Sequence, residues 1–361
     1  MNEIVINGRR IGPGHPAYVI AEVSANHNGK LERAMEIVRA AKAAGADAVK
    51  LQTYTPDTIT LKSDSPLFRH GGTGLWANRD LYSLYQEAYT PWEWHPQLKA
   101  LADELGLTLF STPFDHTAVD FLETLRVPAY KIASFELVDI PLIQKVAKTG
   151  KPLILSTGMG TLEEIAEAVN GFRAAGGKEL ALLKCTSAYP SPPEAMNLRT
   201  MRDLHNRFNV PSGLSDHSMG HTVAVAAVAL GGTIVEKHFT LSRSDPGPDS
   251  AFSMEPAEFR AMVDAIRLTE SALGGIHYEP TPAEAESRRF RRSLFVTRDM
   301  KAGETFTPDN VRSVRPAAGL PPKHQPEILG KAATRDIPAG TPLEWGMVQQ
   351  TGGAPTRRAG C

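Results

Sequence analysis

From residue 18 onward, short apolar runs alternate with longer segments whose apolar residues recur every three or four positions. The eight short runs are rich in Val, Ile and Leu and span residues 18–26, 48–53, 108–114, 129–134, 152–158, 180–187, 210–218 and 233–239. Among the longer segments, residues 31–44 and 161–175 carry apolar residues on one helical face, and Thr161 with Glu164 forms a capping box. Strands that alternate with helices predict a parallel sheet.

Eight strands with intervening helices favour a closed (β/α)8 barrel, which commonly uses about 250 residues as one domain. The alternative is a doubly wound open sheet. Such a sheet normally carries a glycine-rich phosphate motif after an early strand, and this sequence has none. We therefore predict an α/β fold in which a (β/α)8 TIM barrel occupies residues 1–278 of the 361-residue chain and a small domain follows it.

The sequence pattern changes after residue 278. A stretch with Pro and Glu, followed by a run of arginines, predicts a linker over residues 279–292. Beyond it, the heptapeptide TRDMKAG at 297–303 returns as TRDIPAG at 334–340, and Val311 is matched by Val348 at the same offset. Two related units of short strands predict a compact, pseudo-symmetric, β-rich module over residues 293–350. Residues 351–361 are predicted to be a disordered tail.

One insertion, residues 54–89, interrupts the strand–helix rhythm. It contains Gly71, Gly72, Gly74 and Trp76, with two tyrosines nearby. Two interpretations stay open. The insertion is either a structured loop that covers a substrate at the barrel mouth, or a surface excursion with its own small apolar cluster.

Charge and cysteine content reduce the number of function classes that fit the chain. Lys and Arg number 39 against 40 Asp and Glu, so no global basic field exists to hold nucleic acid or an anionic membrane. Cys185 and Cys361 alone do not make a disulfide framework. No apolar run is long enough to span a bilayer, and the first residues lack the apolar core of a signal peptide. We expect a cytoplasmic protein, without nucleic-acid or membrane partners, that binds any anion locally.

The active site of a barrel forms at the carboxyl ends of its strands. Here the runs end in an unusually polar set, in chain order Glu22, Asn26, His27; Lys50, Gln52; Ser111, Thr112, Asp115; Lys131, Ser134, Glu136; Ser156, Thr157; Lys184, Thr186, Ser187, Tyr189; Ser215, Asp216, His217; Glu236, Lys237, His238. Polar side chains that fill a barrel layer by bonding one another explain some of these residues, but not easily all of them.

Several lysines in one barrel mouth repel one another unless an anion lies among them. Lys50 and Lys131, with Lys184 or Lys237 as further candidates, therefore indicate a phosphate or carboxylate ligand. The hydroxyls that would complete its hydrogen bonding are those of Ser134, Ser156 and Ser215. For any single lysine the simpler alternative is an ion pair with a neighbouring glutamate, and we favour it for Lys237, which follows Glu236.

His217 and His238 end adjacent strands. A lone histidine is more often structural, but two neutral imidazoles on neighbouring strand ends suit a catalytic divalent cation with open coordination positions. Such a cation would polarise a carbonyl group. Glu22 and Glu136 would then hold or deprotonate a water or hydroxyl near it, although either could instead be the partner of a lysine.

Eight segments at these strand ends carry a family resemblance: AEVSANHNG (21–29), VKLQT (49–53), STPFD (111–115), YKIASFE (130–136), STGM (156–159), CTSAYPSPP (185–193), GLSDH (213–217) and EKHFTLSRSDPGPD (236–249). In this order, and with coverage from about residue 11 to 347, they resemble the sialic, legionaminic and pseudaminic acid synthases. The terminal module resembles that family's antifreeze-like (SAF) domain. The resemblance implies that phosphoenolpyruvate adds to the aldehyde of an N-acetylated amino sugar, with release of phosphate by carbon–oxygen cleavage.

The resemblance also implies residue roles. His217 and His238 would hold Mn2+, Mg2+ or Co2+, Glu22 and Asp249 would contact the sugar, and Glu136 would position water. The residues expected to bind phosphoenolpyruvate are Lys50, Thr112, Lys131, Ser134, Ser156 and Ser215, and the remaining substrate contacts are assigned to Gln52, Ser187, Tyr189 and Arg315. Sialic acid synthases usually have Asn where this chain has Ser187, which changes that contact. Arg315 matches an arginine that reaches the barrel of the other subunit in a domain-swapped homodimer.

Three segments of the sequence resemble one branch of this family and so indicate the acceptor sugar. CTSAYPSPP, LYSLYQEAYTPWEWH (81–95) and GPDSAFSMEP (247–256) resemble pseudaminic acid synthases. This implies 2,4-diacetamido-2,4,6-trideoxy-L-altrose, whose methyl group would meet the aromatic insertion. The alternatives are synthesis of N-acetylneuraminic or legionaminic acid and, more remotely, a metal-dependent sugar-phosphate aldolase or hydrolase. A Schiff-base aldolase would need a desolvated lysine and no metal. A non-catalytic binding protein would bind the sugar without releasing phosphate.

Overall fold

The computed structural model describes residues 3–71 and 75–350. Within them the predicted barrel is confirmed: eight parallel strands close in the order β10-β3-β4-β5-β6-β7-β8-β9. The barrel strands are β3 Tyr18–Glu22, β4 Ala48–Thr53, β5 Thr108–Pro113, β6 Tyr130–Ile132, β7 Leu153–Ser156, β8 Leu180–Cys185, β9 Ser212–Asp216 and β10 Ile234–His238. Each lies inside one of the eight apolar runs, so the runs located every strand.

Helices follow the strands as the βα pattern requires. In chain order they are α1 Leu31–Ala43, α2 Pro56–Ile59, α3 Leu81–Ala88, α4 His95–Glu104, α5 His116–Thr124, α6 Ile140–Lys148, α7 Leu162–Ala174, α8 Thr200–Phe208, α9 Thr222–Ala229, α10 Pro256–Leu273, α11 Pro282–Ala285 and α12 Gln325–Ile328. The predicted capping box of α7 is present, since the Thr161 hydroxyl accepts from the Glu164 amide and the Glu164 carboxylate accepts from the Thr161 amide.

The apolar runs extend past the strands because their last residues turn into the loops of the barrel mouth. Ser24–His27 forms a 3-10 helix directly after β3, and Ser134–Glu136 forms another after β6. Ser24 has φ +45°, a conformation uncommon for a residue with a side chain. Turning the chain immediately after the strand keeps the polar side chains of these segments over the end of the barrel.

Side chains on the barrel strands alternate between two cores. One face of each strand packs outward on the helices, as Val19, Val49 and Leu109 do. The other face fills the barrel interior with Ile20, Phe110 and other apolar residues, and Ile4, Ile6 and Ile11 join this cluster. These isoleucines belong to a short antiparallel hairpin, β1 Ile4–Ile6 and β2 Arg9–Ile11. The hairpin therefore seals the interior with apolar side chains.

The second unit is built on the internal repeat. Strands β11 Ser293–Val296 and β12 Val311–Val314 pair antiparallel, and residues 37 positions apart make equivalent contacts. The Gly303 amide donates to the Ala333 carbonyl at 2.8 Å, and the Gly340 amide donates to the Val296 carbonyl at 2.8 Å. Met300 and its repeat partner Ile337 bond each other's backbone in both directions. The internal sequence repeat thus corresponds to a pseudo-twofold arrangement of this unit around one apolar core.

The chain divides between Gly274 and Gly275, close to the predicted end of the barrel. The predicted linker, residues 279–292, includes α11 and a 3-10 helix, Glu286–Phe290, and is exposed along its length. The predicted tail, residues 351–361, lies outside the described residues, as do Gly72 and Gly74 of the insertion. Among the helices of the described chain, none combines the length and apolar character that crossing a bilayer requires.

Candidate active site

A cavity of about 370 Å³ opens at the carboxyl end of the barrel. Gln52, Glu136, His238 and Asp249 provide polar groups on its wall. Part of the opposite wall comes from the insertion, which contributes Ile59, His70, Trp76, Leu84, Tyr85 and Ala88. Of the two interpretations of residues 54–89, the structure supports the one in which the insertion covers a substrate site.

Beneath this cavity lies a chain of four buried charges, each at most 4% exposed. The ammonium of Lys50 is 2.7 Å from Glu22 and 3.6 Å from Glu236, and Lys131 is 3.7 Å from the same oxygen of Glu236. Carboxylates thus separate the two lysines, and the alternative in which Glu22 is a lysine's partner is realised. Lys131 has only the longer of these contacts, so its charge is the less compensated of the two.

These contacts shift the titration of the lysines in opposite directions. Burial alone would lower the pKa of Lys50, but Glu22 and Glu236 outweigh it and raise that pKa. Burial lowers the pKa of Lys131, and Glu236 opposes the change only in part. The cation at Lys131 would therefore gain more from an additional anion than the cation at Lys50.

The predicted hydroxyls line up beside the lysines. The Lys50 ammonium donates to the Thr112 hydroxyl at 3.1 Å, and the Ser134 and Ser187 hydroxyls lie 2.9 Å apart. The Ser215 hydroxyl donates to Glu236 at 3.3 Å. The Ser156 hydroxyl is buried without a hydrogen-bond partner among the described residues. A buried hydroxyl in this position needs a partner that the protein does not supply.

Gly158 lets its backbone approach the two serines closely. Its φ is +45°, and a Cβ there would lie 2.2 Å from the Ser134 Cβ and 2.9 Å from the Ser187 hydroxyl. Only glycine combines this left-handed backbone with such a close approach. Lys131, the four serines and Gly158 therefore form a small cradle rich in hydrogen-bond donors.

The two histidines meet as the strand ends predicted. Their ring centroids are 5.4 Å apart, close enough to share one ligand. His217 Nδ1 lies 3.0 Å from the Thr186 carbonyl, a contact that fixes the proton on Nδ1 and leaves Nε2 free to bind. His238 Nδ1 is buried without a partner in the described chain. Burial, reinforced by His217 and the nearby lysines, holds the pKa of His238 well below its usual range, which favours the neutral imidazole.

This pair fits a divalent cation, because neutral imidazoles with unused lone pairs are its common ligands. Residues 3–71 and 75–350 contain no cluster of three or more His, Cys, Asp and Glu side chains that could hold a metal. The remaining positions of a cation on His217 and His238 would go to water or substrate. Contact with Cys185 outweighs burial and raises the pKa of His217, so protons would compete with the cation.

Glu136 stands at the rim of the cavity. Burial raises its pKa from 4.5 to about 7, and Lys131 opposes this rise only in part. One of its carboxylate oxygens has no hydrogen-bond partner in the described residues. A carboxyl group that titrates near neutral pH and has a free oxygen is suited to accept a proton from water.

A hydrogen-bond network joins the predicted sugar ligands. The Gln52 side-chain amide donates to Glu22 at 2.9 Å and to the Ser24 hydroxyl at 3.0 Å, and that hydroxyl donates to Asp249. Tyr189 completes this side, with its ring centroid 4.3 Å from that of His217. Ser24, Gln52, Tyr189 and Asp249 line the same cavity as His238.

Other strand-end residues point away from the mouth because alternate residues of a strand face opposite sides. Lys237 lies beside Glu236 in sequence but pairs with Asp216 at 2.7 Å, so the ion pair we favoured for it is present with a different partner. Lys184 bonds the Cys185 carbonyl at 2.5 Å. Neither is available to an anion in the barrel. Arg315 is in the second unit, is exposed, and forms no ion pair among the described residues.

Further strand-end residues have structural roles. Asp115 caps α5 and Asn26 bonds the Phe239 carbonyl. His27 bonds Thr90, Ser111 bonds Thr53, and Thr157 bonds the Leu183 carbonyl. None of these residues is among those that line the cavity.

Sequence reasoning named Glu236 at a strand end only as a possible partner of Lys237, and it missed Gly158 and Ser24 as parts of the site. Glu236 is two residues before His238 and therefore faces the same side of β10, a signal that strand periodicity could have given. Gly158 belongs to the STGM motif and Ser24 to AEVSANHNG, but nothing in the sequence distinguishes a glycine that faces a ligand from one in an ordinary turn.

Comparisons with known proteins agree with this geometry. A model of the NeuB family matches residues 37–278, and a model of the SAF domain matches residues 291–349. A pseudaminic acid synthase from Campylobacter jejuni is 48% identical over 332 residues, 92% of this chain and 96% of that protein. One from Helicobacter pylori is 48% identical over 329 residues, 91% of this chain and 96% of its own.

A solved structure gives the same fold. The N-acetylneuraminic acid (sialic acid) synthetase from Leptospira borgpetersenii superposes with a TM-score of 0.71 at 30% identity. The match covers 79% of this chain and 94% of that one.

Proposed function

The chain belongs to the NeuB family, and from that premise we propose that it is a pseudaminic acid synthase. It condenses phosphoenolpyruvate with 2,4-diacetamido-2,4,6-trideoxy-L-altrose and water to give pseudaminic acid and phosphate. The observation that carries the proposal is the junction of two half-sites in one barrel mouth. A cradle of lysine and serine side chains for an anion neighbours a pair of imidazoles with unused nitrogens, because the Cys185 thiol lies 3.9 Å from both the Ser187 hydroxyl and His217 Nδ1.

Phosphoenolpyruvate would occupy the cradle. Lys131 and Lys50 supply positive charge to its phosphate and carboxylate, and the partnerless hydroxyl of Ser156 gains a partner. The hydroxyls of Thr112, Ser134, Ser187 and Ser215 complete the set. In this position the methylene carbon of the enol faces the side of the cavity that holds the sugar.

His217 and His238 would hold a divalent cation such as Mn2+, Mg2+ or Co2+. When bound, the cation supplies Lewis-acid polarisation of the acceptor aldehyde. Glu22 and Asp249, linked through Gln52 and Ser24, orient the sugar by hydrogen bonds to its hydroxyl groups. The new carbon–carbon bond forms between the enol methylene and the aldehyde carbon, whose oxygen takes a proton to become a hydroxyl.

Glu136 activates the water of the second stage. Water adds to the former enol carbon as its proton passes to the Glu136 carboxylate. The bond between that carbon and the phosphate oxygen then breaks with its electron pair staying on phosphate, and the new hydroxyl loses its proton to become the keto group of the product. A pKa of about 7 suits this role, because about half of the groups are ionised at neutral pH and the carboxylate is basic enough to accept a proton.

We also propose a cytoplasmic homodimer in which Arg315 of one subunit reaches the acceptor in the barrel of the other. Two observations support it. Arg315 is exposed and free of ion pairs among the described residues. Large apolar side chains at the barrel mouth are also exposed, namely Phe135, Val138, Met159 and Met219, each more than half. Apolar surface of this kind is typical of a subunit interface.

The test is phosphate release coupled to product mass. The purified protein is incubated with phosphoenolpyruvate and Mn2+, and offered the trideoxy-altrose, its gluco- and manno-configured relatives or N-acetylmannosamine. Release with the altrose derivative alone is expected. Release with N-acetylmannosamine at an equal or higher rate would move the assignment to N-acetylneuraminic acid synthesis, and preference for the other isomers would move it to legionaminic acid synthesis. No release with any sugar would contradict the synthase assignment.

A further inference from the structure

Two phenols that line the cavity have no role in the reaction described above. Tyr54 directly follows β4, and Tyr85 lies on α3 of the insertion; both line the cavity. Their rings meet edge to face with centroids 5.8 Å apart, and Tyr54 contacts Phe114 in the same way at 5.1 Å. The rings packed on the two histidines are different ones, Tyr189 and Phe252.

Tyr54 is only 2% exposed, yet its hydroxyl has no hydrogen-bond partner in residues 3–71 and 75–350. The Tyr85 hydroxyl likewise has none in the described chain. Tyr85 is half-buried, and both tyrosines line the cavity, so their hydroxyls are free to donate hydrogen bonds to a ligand atom there.

Both phenols are donors at any physiological pH. Burial raises the pKa of Tyr54 well above its usual value, and the carboxylates of Asp249 and Glu22 add to the effect. Burial and then Glu136 raise the pKa of Tyr85. Two neutral donors side by side suit a carbonyl oxygen, which has two lone pairs. A phosphate would favour cationic donors, and the cavity has none among its lining residues.

The surroundings of the two phenols are apolar. Ile59, Leu84 and Ala88 line the same wall, which can accommodate a methyl group. An acetamido group combines a carbonyl oxygen with a methyl. In a diacetamido sugar whose aldehyde lies at the histidines, the second acetamido group is the one far enough along the chain to reach this wall.

We propose that Tyr54 and Tyr85 are specificity-determining residues that donate hydrogen bonds to the carbonyl oxygen of the acceptor's remote acetamido group. This rests on the proposed function, because it assumes an acceptor whose aldehyde lies at His217 and His238. The two tyrosines then distinguish diacetamido sugars from sugars with a hydroxyl at the same carbon. Such a hydroxyl is too short to meet both phenols and brings no methyl to the apolar wall.

The experiment compares wild type, Tyr54→Phe, Tyr85→Phe and the double variant by phosphate release. The acceptors are 2,4-diacetamido-2,4,6-trideoxy-L-altrose and its counterpart with a hydroxyl at carbon 4. Each single variant should lower kcat/KM for the diacetamido sugar by about three- to tenfold, mainly through KM, since one hydrogen bond is lost. Their kcat/KM for the hydroxyl sugar should not change, so selectivity falls by the same factor.

Tyr82→Phe is the matched control. Tyr82 lies one turn before Tyr85 on α3, but its hydroxyl donates to Asp57 at 3.0 Å and does not line the cavity. This variant should keep wild-type kinetics with both sugars. The melting temperatures of Tyr54→Phe and Tyr85→Phe should stay near that of the wild type, because each removes an oxygen that bonds no other residue of the described chain. Tyr82→Phe loses one exposed hydrogen bond, so its melting temperature should also change little.

Wild-type turnover separates the two levels of the proposal. A wild type that uses the diacetamido sugar, together with tyrosine variants of unchanged selectivity, would overturn the role of the phenols and leave the synthase assignment intact. Variants that lose both sugars equally would overturn it as well, because the tyrosines would then only shape the cavity. A wild type that uses the hydroxyl sugar as well as the diacetamido sugar would contradict both the acceptor assignment and the selectivity argued here.

Discussion

Replacing Glu136 by glutamine should remove catalysis and stabilise the protein at the same time. The carboxyl group is buried at the rim of the cavity with one oxygen lacking a partner among the described residues, and burial raises its pKa from 4.5 to about 7. Glutamine has the same shape but cannot accept a proton from water. General-base catalysis contributes typically 10²- to 10⁴-fold, so kcat should fall by about that factor.

The stability effect follows from the same pKa. A group whose pKa is higher in the folded state binds its proton more tightly when folded, so its ionisation opposes folding. The difference between 4.5 and about 7, at about 1.36 kcal/mol for each pKa unit, is about 3 kcal/mol. Wild type and Glu136→Gln should be equally stable below pH 4.5, and the wild type should lose about 3 kcal/mol relative to the variant between pH 4.5 and 7.

The assay is thermal unfolding of both proteins from pH 4 to 9, together with steady-state phosphate release over the range in which both stay folded. At about 2–4 °C per kcal/mol, the variant should melt roughly 6–12 °C above the wild type at pH 8. Wild-type kcat should rise through an apparent pKa near 7. Glu167→Gln, an exposed residue of α7, should change neither quantity. An unfolding difference that does not depend on pH would refute the assigned pKa, and a Glu136→Gln variant with wild-type kcat would refute its role as a base.

Three further predictions concern the anion cradle and the cation pair. Lys131→Met should raise the KM for phosphoenolpyruvate about ten- to a hundredfold in phosphate-release kinetics, because a charged hydrogen bond is lost. The control variant Lys184→Met should leave that KM unchanged, since Lys184 bonds a backbone carbonyl outside the barrel mouth. Gly158→Ala should destabilise the protein by about 1–3 kcal/mol in chemical unfolding and raise the same KM, because its Cβ would meet Ser134 at 2.2 Å with φ at +45°. Chelation should abolish phosphate release by the wild type, and added Mn2+ should restore it. In His238→Ala, added Mn2+ should not restore phosphate release. Activity that survives chelation would instead favour a lysine-dependent mechanism.

The barrel could be predicted because each of its strands has a recognisable sequence pattern. A parallel strand buried on both faces is a continuous apolar run, and each of the eight runs contains one. The repeat at 297–303 and 334–340 likewise predicted a pseudo-symmetric module, and Met300 and Ile337, which occupy equivalent positions of the repeat, bond each other's backbone. The hairpin β1–β2 could not be predicted, because strands of three residues are too short to show a period.

The site was predicted less completely, because a list of polar strand ends does not separate the two faces of a strand. Glu236 and His238 face the barrel interior, whereas Lys237 between them pairs with Asp216 on the other side. Applying the period of two would have removed Lys184 and Lys237 and placed Glu236 on the same face as His238. Tyr54 is a different case. Its importance depends on a hydroxyl left without a partner, which is a property of packing and has no sequence signature.

The buried charges explain why Lys131 is the more informative lysine to replace. Burying paired charges rarely adds stability, because desolvation offsets most of their attraction. Lys50 recovers part of that cost through a 2.7 Å contact with Glu22 and a bond to Thr112, so an arriving anion must compete with a satisfied ion pair. Lys131 has only Glu236 at 3.7 Å, and burial keeps its pKa low. An anion in the cradle would pair with the Lys131 ammonium. Ligand binding would therefore offset the desolvation free energy that folding leaves uncompensated at Lys131.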